Sequence, residues 1–117
     1  IFLVAPSSTD ARISQVSAVT SGFLYAASTM GVTGARTTVS SAAPELVARS
    51  RRLTKLPIAV GLGVSTGAQA ADVATFADGV IVGSAFVRRI LQAETPAEAT
   101  EQVRALARDL ARGVRGG

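Results

Sequence analysis

Four short apolar runs, IFLV (1–4), GFLYAAS (22–28), PIAVGLG (57–63) and VIVG (80–83), punctuate this 117-residue chain, and none of them alternates apolar with polar residues. A strand that is apolar at successive positions offers apolar side chains to both faces of its sheet, which suits a parallel sheet better than one with a solvated face. Between the runs the period becomes helical. Residues 9–20 set Ile13, Val16 and Val19 behind a Ser/Thr/Asp cap cluster, and residues 42–54 place Pro44 in a first turn with Leu46, Val47 and Leu53 on one side. Thr66 and Gln69 have the spacing of a capping box for a helix through Phe76. AFVRRILQ (85–92) predicts a short helix, followed by a polar break with Pro96 and a last helix to about Gly113, with Val103, Leu106, Ala107, Leu110 and Val114 in one stripe. Arg104, Arg108, Arg112 and Arg115 follow a neighbouring face, expected to be solvated or, alternatively, to meet a partner. Strand–helix units in succession, joined by right-handed crossovers, predict an open α/β sheet or a segment of a (βα) barrel. GVTGARTTVSS (31–41) is expected to be a long loop.

Composition narrows the chemistry. There is no Cys and no His, which removes thiolate and imidazole metal sites, disulfides and a cysteine nucleophile. Proton transfer would fall to the eight carboxylates, Tyr25 or Lys55. The net charge of +4 is spread along helical segments with few aromatics nearby, so no nucleic-acid partner is expected. No apolar stretch reaches the roughly 18 residues of a membrane span, and IFLVAP lacks a basic leader. The expectation is a cytoplasmic protein with no membrane partner. A chain that opens inside a strand pattern is expected to be part of something longer.

The glycines carry the functional signal. GLGVSTG (61–67) has G-x-G-x-x-x-G spacing and no acidic residue closing a following strand, which argues against dinucleotide binding, and no P-loop is present. In a barrel, phosphate sits against the loops after the last two strands and the N-terminus of a short helix. Here two successive strands end in Gly61-Leu62-Gly63 and Gly83-Ser84, and the second leads at once into a helix. Free N–H groups of a first turn, the helix dipole and the missing Cβ atoms together suit an anion. The alternative is a pair of tight turns with no ligand. Gly31-Val32-Thr33-Gly34 is either a lid over the site or an ordinary connection.

The ordered series IFLVAPSST, GFLYAASTMGVTGAR, PIAVGLGVST and DGVIVGSAFV resembles the α subunits of tryptophan synthase over about residues 1–92, and the final helix is compatible. The Ala- and Arg-rich usage resembles an actinobacterial version. The resemblance implies an α/β fold, a (β/α)8 TIM barrel of which residues 1–117 supply strands 5 to 8, the C-terminal half of one domain. It implies retro-aldol cleavage of indole-3-glycerol phosphate to indole and glyceraldehyde 3-phosphate in tryptophan biosynthesis. By the same resemblance Gly34, Gly61, Gly63, Gly83 and Ser84 bind phosphate, Tyr25, Leu62 and Ile81 surround the indole, and Thr33 supports a lid. The family's catalytic carboxylates lie on early strands, so no catalytic residue is expected in this chain and it is expected to be inactive alone. The implied partners are the β subunit, which carries pyridoxal phosphate while this chain carries no cofactor, and the missing N-terminal half barrel or, in its place, self-association. Another phosphate-binding barrel enzyme and a non-catalytic, engineered half-barrel scaffold remain alternatives.

Overall fold

The structure, a computed structural model, describes residues 1–28, 31–33, 36–38 and 42–116, the two middle segments by their backbone alone. In chain order its elements are β1 (Leu3–Val4), α1 (Asp10–Ala18), β2 (Leu24–Ala27), β3 (Gly31–Thr33), β4 (Arg36–Thr38) and α2 (Ala42–Leu53). They continue with β5 (Ile58–Gly61), α3 (Gly67–Ala74), β6 (Gly79–Ile81), α4 (Ser84–Gln92) and α5 (Pro96–Val114). The main sheet has the order β1-β2-β5-β6, and every neighbouring pair in it is parallel.

The stretch read as one long loop departs from expectation. β3 and β4 pair antiparallel, Gly31 with Thr38 and Thr33 with Arg36. Val32, Thr33, Thr37 and Thr38 are β-branched and favour extended backbone, a preference that outweighs the loop signal of the glycines around them.

Register explains why the apolar runs do not alternate. Val4, Ala26, Val60 and Val80 lie in one row across the sheet, with Leu24 beside Ile58 two residues earlier. That face joins Ile13, Leu46, Val47, Val73, Leu106 and Leu110 in a single core, so the helices all pack on one side. Leu3, Tyr25, Ala59 and Gly79, then Ala27, Gly61 and Ile81, form the other face, where none is buried. Both faces are apolar, but only one is covered by helices.

The helices end close to where the residues direct. Thr9, Thr66 and Thr95 cap α1, α3 and α5 by accepting from the N–H of Arg12, Gln69 and Glu98 at 3.1, 3.2 and 3.1 Å. The capping box closes one residue early, because Gln69 Oε1 accepts from Ser65 N at 2.8 Å. α3 stops at Ala74, short of Phe76, and Val19 is the C-cap of α1 with 68% of its surface exposed. In α5 Leu106 and Leu110 are buried, whereas Ala107 and Val114 face solvent. The C-terminal half of α5 lies against α3, where Gly113 faces Gly67 and Asp109 Oδ2 accepts from Gly67 N at 2.8 Å. Arg104, Arg108, Arg112 and Arg115 are all exposed, as a solvated face requires.

Two carboxylates hold loops in place. Asp10 accepts from Arg49 Nη2 at 3.0 Å, and Arg49 also donates to the carbonyls of Pro6 and Ser8, joining α2 to the turn after β1. Asp78 Oδ2 accepts from Ile58 N at 2.9 Å and from Arg51 Nη1 at 3.1 Å, fixing the starts of β5 and β6 together.

Candidate functional site

The carboxyl ends of β2, β5 and β6 open into one cleft of about 350 Å³. A parallel sheet puts these three ends on the same side, so residues far apart in sequence arrive together. Tyr25, Gly61, Leu62, Gly63, Ile81, Gly83 and Ser84, all singled out from the sequence, line it. Gly34 lies outside the described residues. Thr33 ends β3, and of its side chain nothing is described.

Gly61 and Gly63 each have a local reason to be glycine. A Cβ on Gly61 would stand 2.5 Å from Tyr25 Oη and 2.8 Å from Tyr25 Cε1, so its absence lets the phenol ring lie across the end of β5. Gly63 has φ +84°, the left-handed region that glycine enters without strain, and a Cβ there or on Gly83 would meet nothing within 4 Å. Gly63 and Gly83 therefore open onto free space.

The N-terminus of α4 differs from those of α1, α3 and α5. Gly83 is its N-cap and makes no side-chain capping bond. Its carbonyl accepts from Phe86 N and Val87 N at 3.0 and 3.3 Å, while Gly83 and Ser84 are exposed. The first N–H groups of such a helix have no intrahelical acceptor, and with the Ser84 hydroxyl they form a donor set suited to an anion.

The rest of the wall is apolar or small. Ile81 and Tyr25 are half-buried on the uncovered sheet face. Leu62 is only 4% exposed and belongs to the core, so it gives the cleft little side-chain area. Ser28, Val64 and Val82 also line the cleft and were not anticipated. Ser28 N donates to Gly61 O at 3.0 Å, extending the β2–β5 pairing past the strand end; its position as the last residue of GFLYAAS was the available signal. All eight carboxylates are among the described residues, and none lines this cleft. Away from the cleft, the Ile58 N–H holds the Asp78 carboxyl below the usual aspartate range, opposed by desolvation and aided by Arg51.

Comparison with known proteins agrees with the sheet. The profile described as Tryptophan synthase alpha chain matches residues 1–115. A tryptophan synthase alpha chain of Streptomyces coelicolor is 63% identical over 99% of this chain and 43% of its own length. That of Thermobifida fusca is 57% identical over 98% and 44%. A structure of tryptophan synthase from Mycobacterium tuberculosis superposes with TM-score 0.81 and 53% identity, over 99% of this chain and 42% of the other. This chain spans less than half the length of the relatives it matches, and its parallel four-stranded sheet is half of their (β/α)8 barrel. The chain belongs to the tryptophan synthase alpha chain family.

Proposed function

We propose that residues 1–117 are the C-terminal half of one barrel domain, strands 5 to 8 of a tryptophan synthase α subunit, and that they hold substrate by its phosphate. The observation that carries this reading is the convergence of Gly61, Gly63, Gly83 and Ser84 with the uncapped start of α4 on one cleft. A phosphate there accepts from the first-turn N–H groups and from Ser84, and the dipole of α4 favours its charge. Tyr25, Ile81 and the edge of Leu62 offer the apolar surface an indole ring needs, while Gly34 and Thr33 belong to the site by family resemblance alone.

The intact protein on this reading is a carbon–carbon lyase acting on indole-3-glycerol phosphate. As the bond between ring and glycerol breaks, one proton goes to the indole carbon and one leaves a glycerol hydroxyl, giving indole and glyceraldehyde 3-phosphate. Each transfer needs an acid or base in reach of the substrate. The cleft has no carboxylate, so this chain supplies positioning and the rest of the barrel supplies proton transfer. The reading assigns no cofactor to this chain, pairs the intact subunit with a β subunit that carries pyridoxal phosphate, and implies a cytoplasmic location. For its own part, no helix among the described residues is long and apolar enough to cross a membrane.

Indole release from indole-3-glycerol phosphate tests this. The chain alone should give none, and the chain refolded with the N-terminal half of a close relative should give a measurable rate. Halves that associate and stay inactive would overturn the reading.

A further inference from the structure

We propose that Arg88 is the cation that serves the phosphate cleft, attracting the anion through space from behind its two glycine loops; this rests on the phosphate reading above. The cleft leaves most of a phosphate's charge uncompensated. Among the described residues none that lines it is Lys or Arg. A phosphate monoester carries about −1.5 to −2 near neutral pH, against the equivalent of roughly +0.5 at a helix N-terminus.

Arg88 follows Ser84 by four residues in α4, so the two share one side of the helix a turn apart. Long helical side chains lean back toward the N-terminus, which directs Arg88 toward the anion end. Arg88 also lines a smaller hollow with Ser65, Thr66 and Ala85. Ser65 and Ala85 adjoin Val64 and Ser84 of the cleft, so the hollow backs onto the cleft where the two loops meet.

Several other guanidinium groups are engaged elsewhere. Arg89 donates to Gln102 Oε1 at 3.0 Å, and Arg49, Arg51 and Arg104 are paired with carboxylates. Arg88 is exposed, and among the described residues no hydrogen bond or ion pair engages it. Arg112, equally exposed, lies along α5 and lines a groove beside the C-terminus. It is the natural control.

Binding of inorganic phosphate to the 117-residue chain, titrated at low and high salt with the thermal midpoint of each variant recorded, tests the proposal. At low salt Arg88→Gln should bind about fivefold more weakly than the wild type, and the gap should close toward about 0.5 M salt. Arg88→Lys should stay within about twofold of the wild type, since a charge acting at a distance needs no guanidinium geometry. Arg112→Gln should match the wild type. A wild-type chain that binds no phosphate overturns the phosphate reading and Arg88 with it. Wild type and Arg88→Gln binding equally at low salt overturns only the role of Arg88. A loss shared by Arg88→Lys, or unchanged by salt, likewise rejects a through-space charge.

Discussion

Asp78 acts as a clamp in the fold. Its carboxylate accepts from Ile58 N and from Arg51, and Arg51 Nη2 donates in turn to Phe76 O at 2.9 Å, so three segments meet at one side chain. Both contacts favour the ionised form, and the Ile58 bond is the larger cause of its lowered pKa. A depressed folded-state pKa contributes stability that is present above the unfolded value, near 3.9, and lost as pH falls through the folded one. The stability advantage of wild type over Asp78→Asn should therefore be constant above about pH 5 and shrink below about pH 4, followed by urea midpoints across that range. A gap unchanged to about pH 2 would show that shape rather than charge makes the clamp. The sequence offered no sign of this role, because a hydrogen bond to Ile58 spans 20 positions. Gly61 and Gly63 were legible for the opposite reason: a glycine at a strand end marks close approach or a positive φ, here the Tyr25 ring against Gly61 and φ +84° at Gly63, whatever the remote contact proves to be.

The difference between capped and uncapped helices separates structure from binding at the level of elements. Thr66 satisfies Gln69 N, so Thr66→Ala should cost about 1 kcal/mol of stability. Its effect on phosphate affinity should be small. Ser84 is the first residue of α4 and caps nothing, so Ser84→Ala should leave the unfolding midpoint nearly unchanged while weakening phosphate binding a fewfold. Thermal melts and phosphate titrations of the two variants should thus move in opposite columns, and a destabilised Ser84→Ala chain with normal affinity would reverse the assignment. Periodicity made the strand–helix alternation readable from the sequence, since the four apolar runs and the α2 face are local patterns. The β3–β4 pair was not readable: glycines and threonines in one stretch satisfy a loop and a hairpin alike, and pairing is decided across the strands. Helix ends were read to within a few residues because Thr caps are explicit, while the ends at Ala18 and Ala74 have no comparable marker.

Taken whole, the molecule carries a sheet finished on one side only. Leu3, Tyr25, Ala27 and Ile81 remain uncovered, and β1 and β6 each present an unpaired edge of the main sheet. Ile1, Phe2 and Leu3 beside the first edge are 62%, 50% and 59% exposed, and Val87, Ile90 and Leu91 of α4, which follows β6, are 54%, 50% and 78% exposed. The Cα radius of gyration of 15.4 Å exceeds the roughly 13 Å of a closed domain of this length. Open edges and a contiguous apolar face pair with whatever surface is available. The 117-residue chain should therefore associate with itself in sedimentation velocity at about 50 μM, with a mass that rises with concentration. Charge at the β1 edge, as in Phe2→Glu with Leu3→Lys, should shift it toward monomer. Val19→Glu, at the C-cap of α1, should not. Adding the complementary half of a relative's barrel should replace these species with one discrete complex, because four further parallel strands complete the eight of the family's fold and remove both edges. A single monomer boundary at every concentration would mean that the uncovered face is tolerated by water as it stands, and the need for a closing partner would fall with it.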